Sequence, residues 1–343
     1  MSRADRFLKA CRREAVDATP IWLMRQAGRY MPEYQALRKK HSLLELVKTP
    51  ELAAQVTLQP VEAFEVDAAI VFADILTLPE SMGLELKFTE GEGPAFLNPL
   101  RSGQDIDKLA VRSPEEGLDF TMDAIRQARK ALDGKAPLIG FSGAPFTLAC
   151  YMIEGKASRE FPIARQFIRE KPREWHVLAG KLAQAVGSYL KAQIEAGAQA
   201  IQLFDTWAGI LSEAEYREFA LPYSAQALQA ARQPSVPIVH FAIGAHLLPL
   251  VKEGGGDVIG MDFRVELAEA WRRLGDGVSV QGNLDPAILT GPVEEATKQA
   301  AKILDSVRGR AGHIFNLGHG VLKETPVTNV AALVDFVHQY SRT

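Results

Sequence analysis

Arg25 and Arg29 stand four residues apart in Met24-Arg25-Gln26-Ala27-Gly28-Arg29-Tyr30-Met31-Pro32, and Arg38 follows. A guanidinium is planar, permanently charged and grips a carboxylate through a fork of N–H groups. Several arginines on one rim would suit a ligand with several carboxylates; the plainer alternative at this spacing is a solvated helix face. Asp74, in Phe72-Ala73-Asp74-Ile75-Leu76, is a carboxylate among apolar residues. Drawn partly out of water, it must accept hydrogen bonds or face a positive charge. It would suit ligand N–H groups or a developing cation, or it caps a helix. His319, in Asn316-Leu317-Gly318-His319-Gly320, lies between two glycines that leave it open to an approaching ligand, and imidazole exchanges protons near neutral pH. Thr206 offers a hydroxyl and Phe204 an aromatic face; Tyr151 adds a phenol, although a lone tyrosine is more often core than catalytic.

Other chemistries find less support. Gly140-Phe141-Ser142-Gly143-Ala144 is not a GxSxG elbow, so Ser142 is no persuasive nucleophile. The glycines of the chain form neither GxGxxG nor GxxxxGK. HExxH, clustered cysteines and a DxDxDG loop are all missing, and no metal is expected. Asp205 reads as a helix cap or an ion-pair member, Asn283 and Asp285 as turn residues, and His240 and His246 as structural.

The candidates share a position: each follows a short apolar run. Eight such runs are legible, at Pro20–Met24, Ala68–Phe72, Pro137–Phe141, Ala200–Phe204, Val236–Phe241, Asp257–Met261, Val278–Gln281 and His313–Leu317. Most are continuously apolar, as strands covered on both faces are. Helical spacing lies between them, from Trp175 to Ala196, Pro292 to Val307 and Pro326 to Tyr340, with a capping-box signal at Ser212 and Glu215. Eight alternating strands and helices predict a single α/β domain over residues 1–343, a (β/α)8 TIM barrel whose active site lies at the C-terminal strand ends. One departure is expected: Leu84–Phe88 and Ala95–Leu97 read as a small β-hairpin inserted after the second strand.

The bulk numbers bound the function. The 343 residues, 47% hydrophobic and 24% charged, suffice for a large core without staples. Cys11 and Cys150 lie far apart, which disfavours a disulfide framework and a cysteine-based zinc site. A net charge of -3 gives no nucleic-acid footprint, so an anionic ligand would need a local basic cluster. The beginning of the sequence has no apolar leader, and no stretch is long enough to cross a bilayer, so the protein is expected in the cytoplasm.

Taken together, PIWLMRQAGRYMPEY (20–34), AIVFADIL (69–76), GFSGAPFTLACYMIEG (140–155), LFDTWAG (203–209), GNLDP (282–286) and FNLGHG (315–320) resemble the uroporphyrinogen decarboxylase family, in the family's order and over essentially the whole chain. The resemblance implies cofactor-free decarboxylation of the four acetate arms of uroporphyrinogen III to methyls, giving coproporphyrinogen III, by a homodimer. It implies catalytic roles for Arg25, Arg29, Asp74, Tyr151 and His319, and substrate contacts from these with Gln26, Arg38, Ile70, Phe204 and Thr206. Thr206 stands where some members have serine, which keeps a hydroxyl. A related zinc-dependent barrel methyltransferase would need His and Cys near the strand ends, and here Cys150 has no HxC partner. A non-catalytic tetrapyrrole carrier would differ only in lacking turnover.

Overall fold

The computed structural model describes residues 1–89 and 93–342. Strands β1 (Ala69–Ile70), β4 (Leu138–Gly143), β5 (Ala200–Asp205), β6 (Ile238–Ala242), β7 (Val258–Gly260), β8 (Ser279–Gln281) and β9 (His313–Ile314) pair in that order, all in parallel. Between successive strands the chain returns through helices, as parallel pairing requires.

The eighth member of the ring is the segment around Ile21. It contributes a single parallel bridge, Ile21 to Phe315, where a full strand over Pro20–Met24 was expected. The shortening has a local cause. Pro20 has no N–H to donate, and the chain already turns at Leu23, whose carbonyl accepts the Gln26 N–H at 2.9 Å. The ring nevertheless closes: Phe315 N–H donates to the Pro20 carbonyl at 2.8 Å, and Asp67 N–H, just before β1, donates to the Ile21 carbonyl at 2.8 Å. The chain is thus mixed α/β with a curled parallel sheet, as the alternating pattern predicts.

Inside the ring a polar chain replaces part of the usual aliphatic filling. Trp22 donates through Nε1 to Gln281 Oε1 at 2.9 Å, and Gln281 Nε2 donates to Gln202 Oε1 at 3.2 Å. All three side chains are buried, and such groups persist in a core only when they bond one another. Outside the ring the longest helix, Pro172–Ala196, crosses Leu221–Ala231 at Gly187, where a Cβ would meet the Ala230 methyl at 2.8 Å. The capping box at Ser212 and Glu215 opens the helix Glu213–Phe219. Strands β2 (Leu86–Thr89) and β3 (Gly93–Phe96) pair antiparallel, and the residues between them lie outside the described ones. Phe96 N–H ties β3 to the Gly155 carbonyl at 2.7 Å.

Candidate active site

The first and last strand ends interlock, and this builds the site. Asn316, at the end of β9, accepts through Oδ1 from the N–H of Met24 at 2.9 Å and of Leu317 at 2.8 Å. The Met24 carbonyl in turn accepts from Val321 N–H at 2.8 Å. Met24 is therefore clamped on both sides by the loop that carries His319, and the next residue is Arg25. Arg25 has φ of 60°, the left-handed region that non-glycine residues enter at a cost. That turn swings the Arg25 stem over Gly320. A Cβ on Gly320 would meet Arg25 Cγ at 2.7 Å, and one on Gly318 would collide with the backbone of Phe263. The two glycines beside His319 thus make room for Arg25 and for the β7 loop, rather than for the ligand alone.

These elements surround a cavity of about 360 Å³ at the C-terminal end of the barrel, lined among others by Arg25, Arg29, Ile70, Asp74, Phe204, Thr206 and His319. Of the residues expected at the site, these seven come together in one wall. Phe141, Phe204 and Phe241 form an aromatic side, with ring centroids 5.6 and 5.8 Å apart in edge-on contacts. Arg25 and Arg29 form no ion pair among the described residues. Asp74 Oδ1 accepts from Leu76 N–H at 2.8 Å, which folds the chain into the helix Thr77–Ser81; its Oδ2 has no hydrogen-bond partner among the described residues. Desolvation raises the Asp74 pKa, while the Leu76 N–H and the Arg25 charge act against it. Loss of water and the positive charge of Arg25 lower the His319 pKa, which favours the neutral ring at neutral pH.

Three expected residues sit elsewhere. Gln26 is buried and fully committed: its Oε1 accepts from Leu23 N–H at 3.0 Å and its Nε2 donates to the Ala68 carbonyl at 3.0 Å. It braces the turn that presents Arg25 and has no face on the cavity. Arg38 is exposed and donates to the His41 carbonyl at 2.6 Å. Tyr151 is half-buried and stands edge-on to Phe161 and Trp207, at 5.8 and 6.2 Å. Burial pushes its phenol up, and it is close enough to Asp74 and Arg25 to feel both charges.

The sequence did not single out Phe141, Phe241, Tyr34 or Lys323, which also line the cavity. The first two carry the signal used for the others, an apolar strand end. Asp205 is neither cap nor ion-pair member. It is fully buried, accepts from Thr147 Oγ1 at 2.8 Å, and desolvation pushes its carboxyl up to about 7. Thr147 Oγ1 also accepts from Trp207 N–H at 3.2 Å, so this unit fixes the segment that brings Thr206 to the cavity. Ser142 is buried and donates to the Gly143 carbonyl. Asp285 stabilises a local turn through Ala287 N–H, whereas Asn283 donates to the carbonyls of Asp262 and Val265 and ties its loop to the one after β7. Both cysteine thiols are buried and pushed well up by desolvation, which disfavours the thiolate form that metals bind.

Known proteins share this arrangement at two levels. The family model of uroporphyrinogen decarboxylase matches residues 2–340. A uroporphyrinogen decarboxylase of Roseiflexus sp. (strain RS-1) is 52% identical over 343 residues, covering 98% of this chain and 99% of its own. One from Geobacter sulfurreducens is 48% identical over 339 residues, covering 98% and 99%. Among solved structures, a methyltransferase from Methanosarcina mazei superposes with a TM-score of 0.80 at 20% identity, covering 99% of both chains. A B12-independent methionine synthase from Shewanella does so at 0.58 and 13%, covering 87% of this chain and 90% of its own. At such identities the solved structures speak for the barrel alone, whereas the sequence matches reach from end to end: the chain belongs to the uroporphyrinogen decarboxylase family.

Proposed function

We propose that the chain decarboxylates the four acetate arms of uroporphyrinogen III to methyls, giving coproporphyrinogen III. The observation that carries this is the charge pattern of one cavity: two guanidiniums without ion pairs and a carboxylate with one oxygen unengaged, among the described residues, beside an aromatic wall. The substrate is the complement of that pattern, with carboxylates on its rim and pyrrole N–H groups at its centre. Arg25 and Arg29 bind rim carboxylates, and ionised Asp74 accepts from the inward N–H groups. Ile70 and Phe204 hold the ring, Thr206 and neutral His319 add hydrogen bonds, and Tyr151 contributes its phenol.

In this reading a proton adds to the ring carbon next to the one that bears the acetate arm, which leaves the arm-bearing carbon electron-poor. The bond to the carboxylate then breaks, CO2 leaves, and its electron pair neutralises the ring. The exocyclic methylene takes up a proton as the ring carbon returns one, so each turnover consumes one proton. Asp74 stabilises the cationic ring inside a pocket of low dielectric, where a fixed charge acts far more strongly than in water. The same reading takes the whole chain as one barrel domain, working as a cytoplasmic homodimer without metal or organic cofactor, and gives no role to nucleic acid or a membrane. In support, no helix among the described residues is long and apolar enough to cross a bilayer.

Anaerobic incubation of the metal-stripped protein with uroporphyrinogen III, followed by oxidation and separation by carboxylate number, tests the proposal. Stepwise appearance of seven-, six-, five- and four-carboxylate porphyrins is expected. Tight binding without loss of carboxylates would leave a carrier instead.

A further inference from the structure

Lys323, four residues beyond His319, is a further cation in the cavity wall. Its ammonium pairs with Glu324 at 3.5 Å, and the two side chains are 61% and 59% exposed. An exposed pair of this kind is weak and readily exchanged for another partner. Arg25 and Arg29 are assigned above to rim carboxylates, and two further basic side chains are committed elsewhere. Arg264 donates to both oxygens of buried Asp262, at 2.9 and 3.3 Å, and Arg38 donates to the His41 carbonyl.

We infer that Lys323 is a carboxylate-binding residue that sorts porphyrinogens by their number of carboxylates, favouring the most highly charged. The inference rests on the decarboxylase reading above. An ammonium on a flexible stem acts as a point charge, without the geometric demand of a guanidinium. At an exposed position its pull grows with ligand charge and is screened by salt. Each turnover removes one negative charge, so Lys323 contributes most to capture of the eight-carboxylate substrate and progressively less afterwards. Such a gradient also eases departure of the four-carboxylate product.

The test compares wild type, Lys323→Gln and Lys323→Arg on the eight-carboxylate porphyrinogen and on the isolated five-carboxylate intermediate, at about 20 and about 300 mM salt. At low salt Lys323→Gln is expected to raise KM about three- to fivefold for the first and less than about twofold for the second, with kcat unchanged. Lys323→Arg retains the wild-type preference, and high salt erases the difference between all three. Equal KM changes on both substrates, changes that survive high salt, or no change at all beside a normally active wild type would overturn the inference alone. A folded wild type that turned over neither porphyrinogen would overturn the decarboxylase reading, and this inference with it.

Discussion

Asp67 and Asp74 stand just before and just after the same short strand, β1, and their surroundings differ in kind. Asp67 is fully buried, with both oxygens engaged: Oδ1 accepts from Arg6 Nη1 at 2.6 Å, and Oδ2 from Ile21 N–H at 2.8 Å and His338 Nε2 at 2.6 Å. Arg6 is held in turn by Asp17, at 2.8 and 3.1 Å. Asp74 is half-buried and has one internal partner, Leu76 N–H. A buried carboxylate costs several kcal/mol unless paired. At the N-terminal end of the barrel the protein meets that cost internally and gains closure of the ring. At the C-terminal end it leaves the cost partly uncompensated, beside Arg25 and Arg29, which form no ion pair among the described residues. The difference separates a fastening from a receptor, and barrels divide stability and chemistry between their two ends in this way.

The contrast can be broken from either side. Asp74→Asn keeps the shape and removes the charge, so kcat on uroporphyrinogen III should fall on the order of 10²–10³-fold while unfolding by urea is almost unchanged. A variant with near-normal kcat would show that the charge of Asp74 has no part in the reaction. Asp67→Asn should do the reverse, losing about 3–5 kcal/mol in urea unfolding while the folded fraction keeps its kcat. Arg29→Lys retains the charge but loses the fork, and a rise in KM of about tenfold is expected. An unchanged KM would mean that Arg29 does not grip a carboxylate at two points.

The smallest effect concerns Asp205. Its carboxyl is pushed up to about 7 from an ordinary value of 3.8, so the folded state holds the proton more tightly than the unfolded one. Its contribution to stability is therefore full below pH 3.8 and is lost as the pH rises to about 7. Between pH 5 and pH 8 the melting temperature of Asp205→Asn should decline less than that of the wild type, and parallel curves would contradict the assignment.

The strands, and the strand ends around which the cavity forms, were legible because continuous apolar runs follow from burial on both faces. Gln26 was not legible as a brace. One residue from Arg25 in a turn, it differs from a ligand-facing side chain only in direction, and direction in a turn depends on hydrogen bonds that spacing does not encode. Arg38 and Tyr151 were not legible for a related reason: helical position fixes a side chain's face but not its partners, here the His41 carbonyl and the rings of Phe161 and Trp207. Lys323 went unnoticed because an exposed lysine beside a glutamate looks like ordinary surface. Asp205 was misread as a cap or ion-pair member because its partner, Thr147, lies on another element.

The clamp on Met24 has a consequence for how the protein comes into being. The first strand segment bridges to the last through Ile21 and Phe315, and Arg25 is seated by Asn316, Gly320 and Val321. On the ribosome the arginine loop emerges long before residues 316–321, and until they follow its seat does not exist. Contacts so distant in sequence form late and slowly. Chains that stop short of Val321 thus lack the seat of Arg25, and activity is expected only once that segment has been made and the ring has closed.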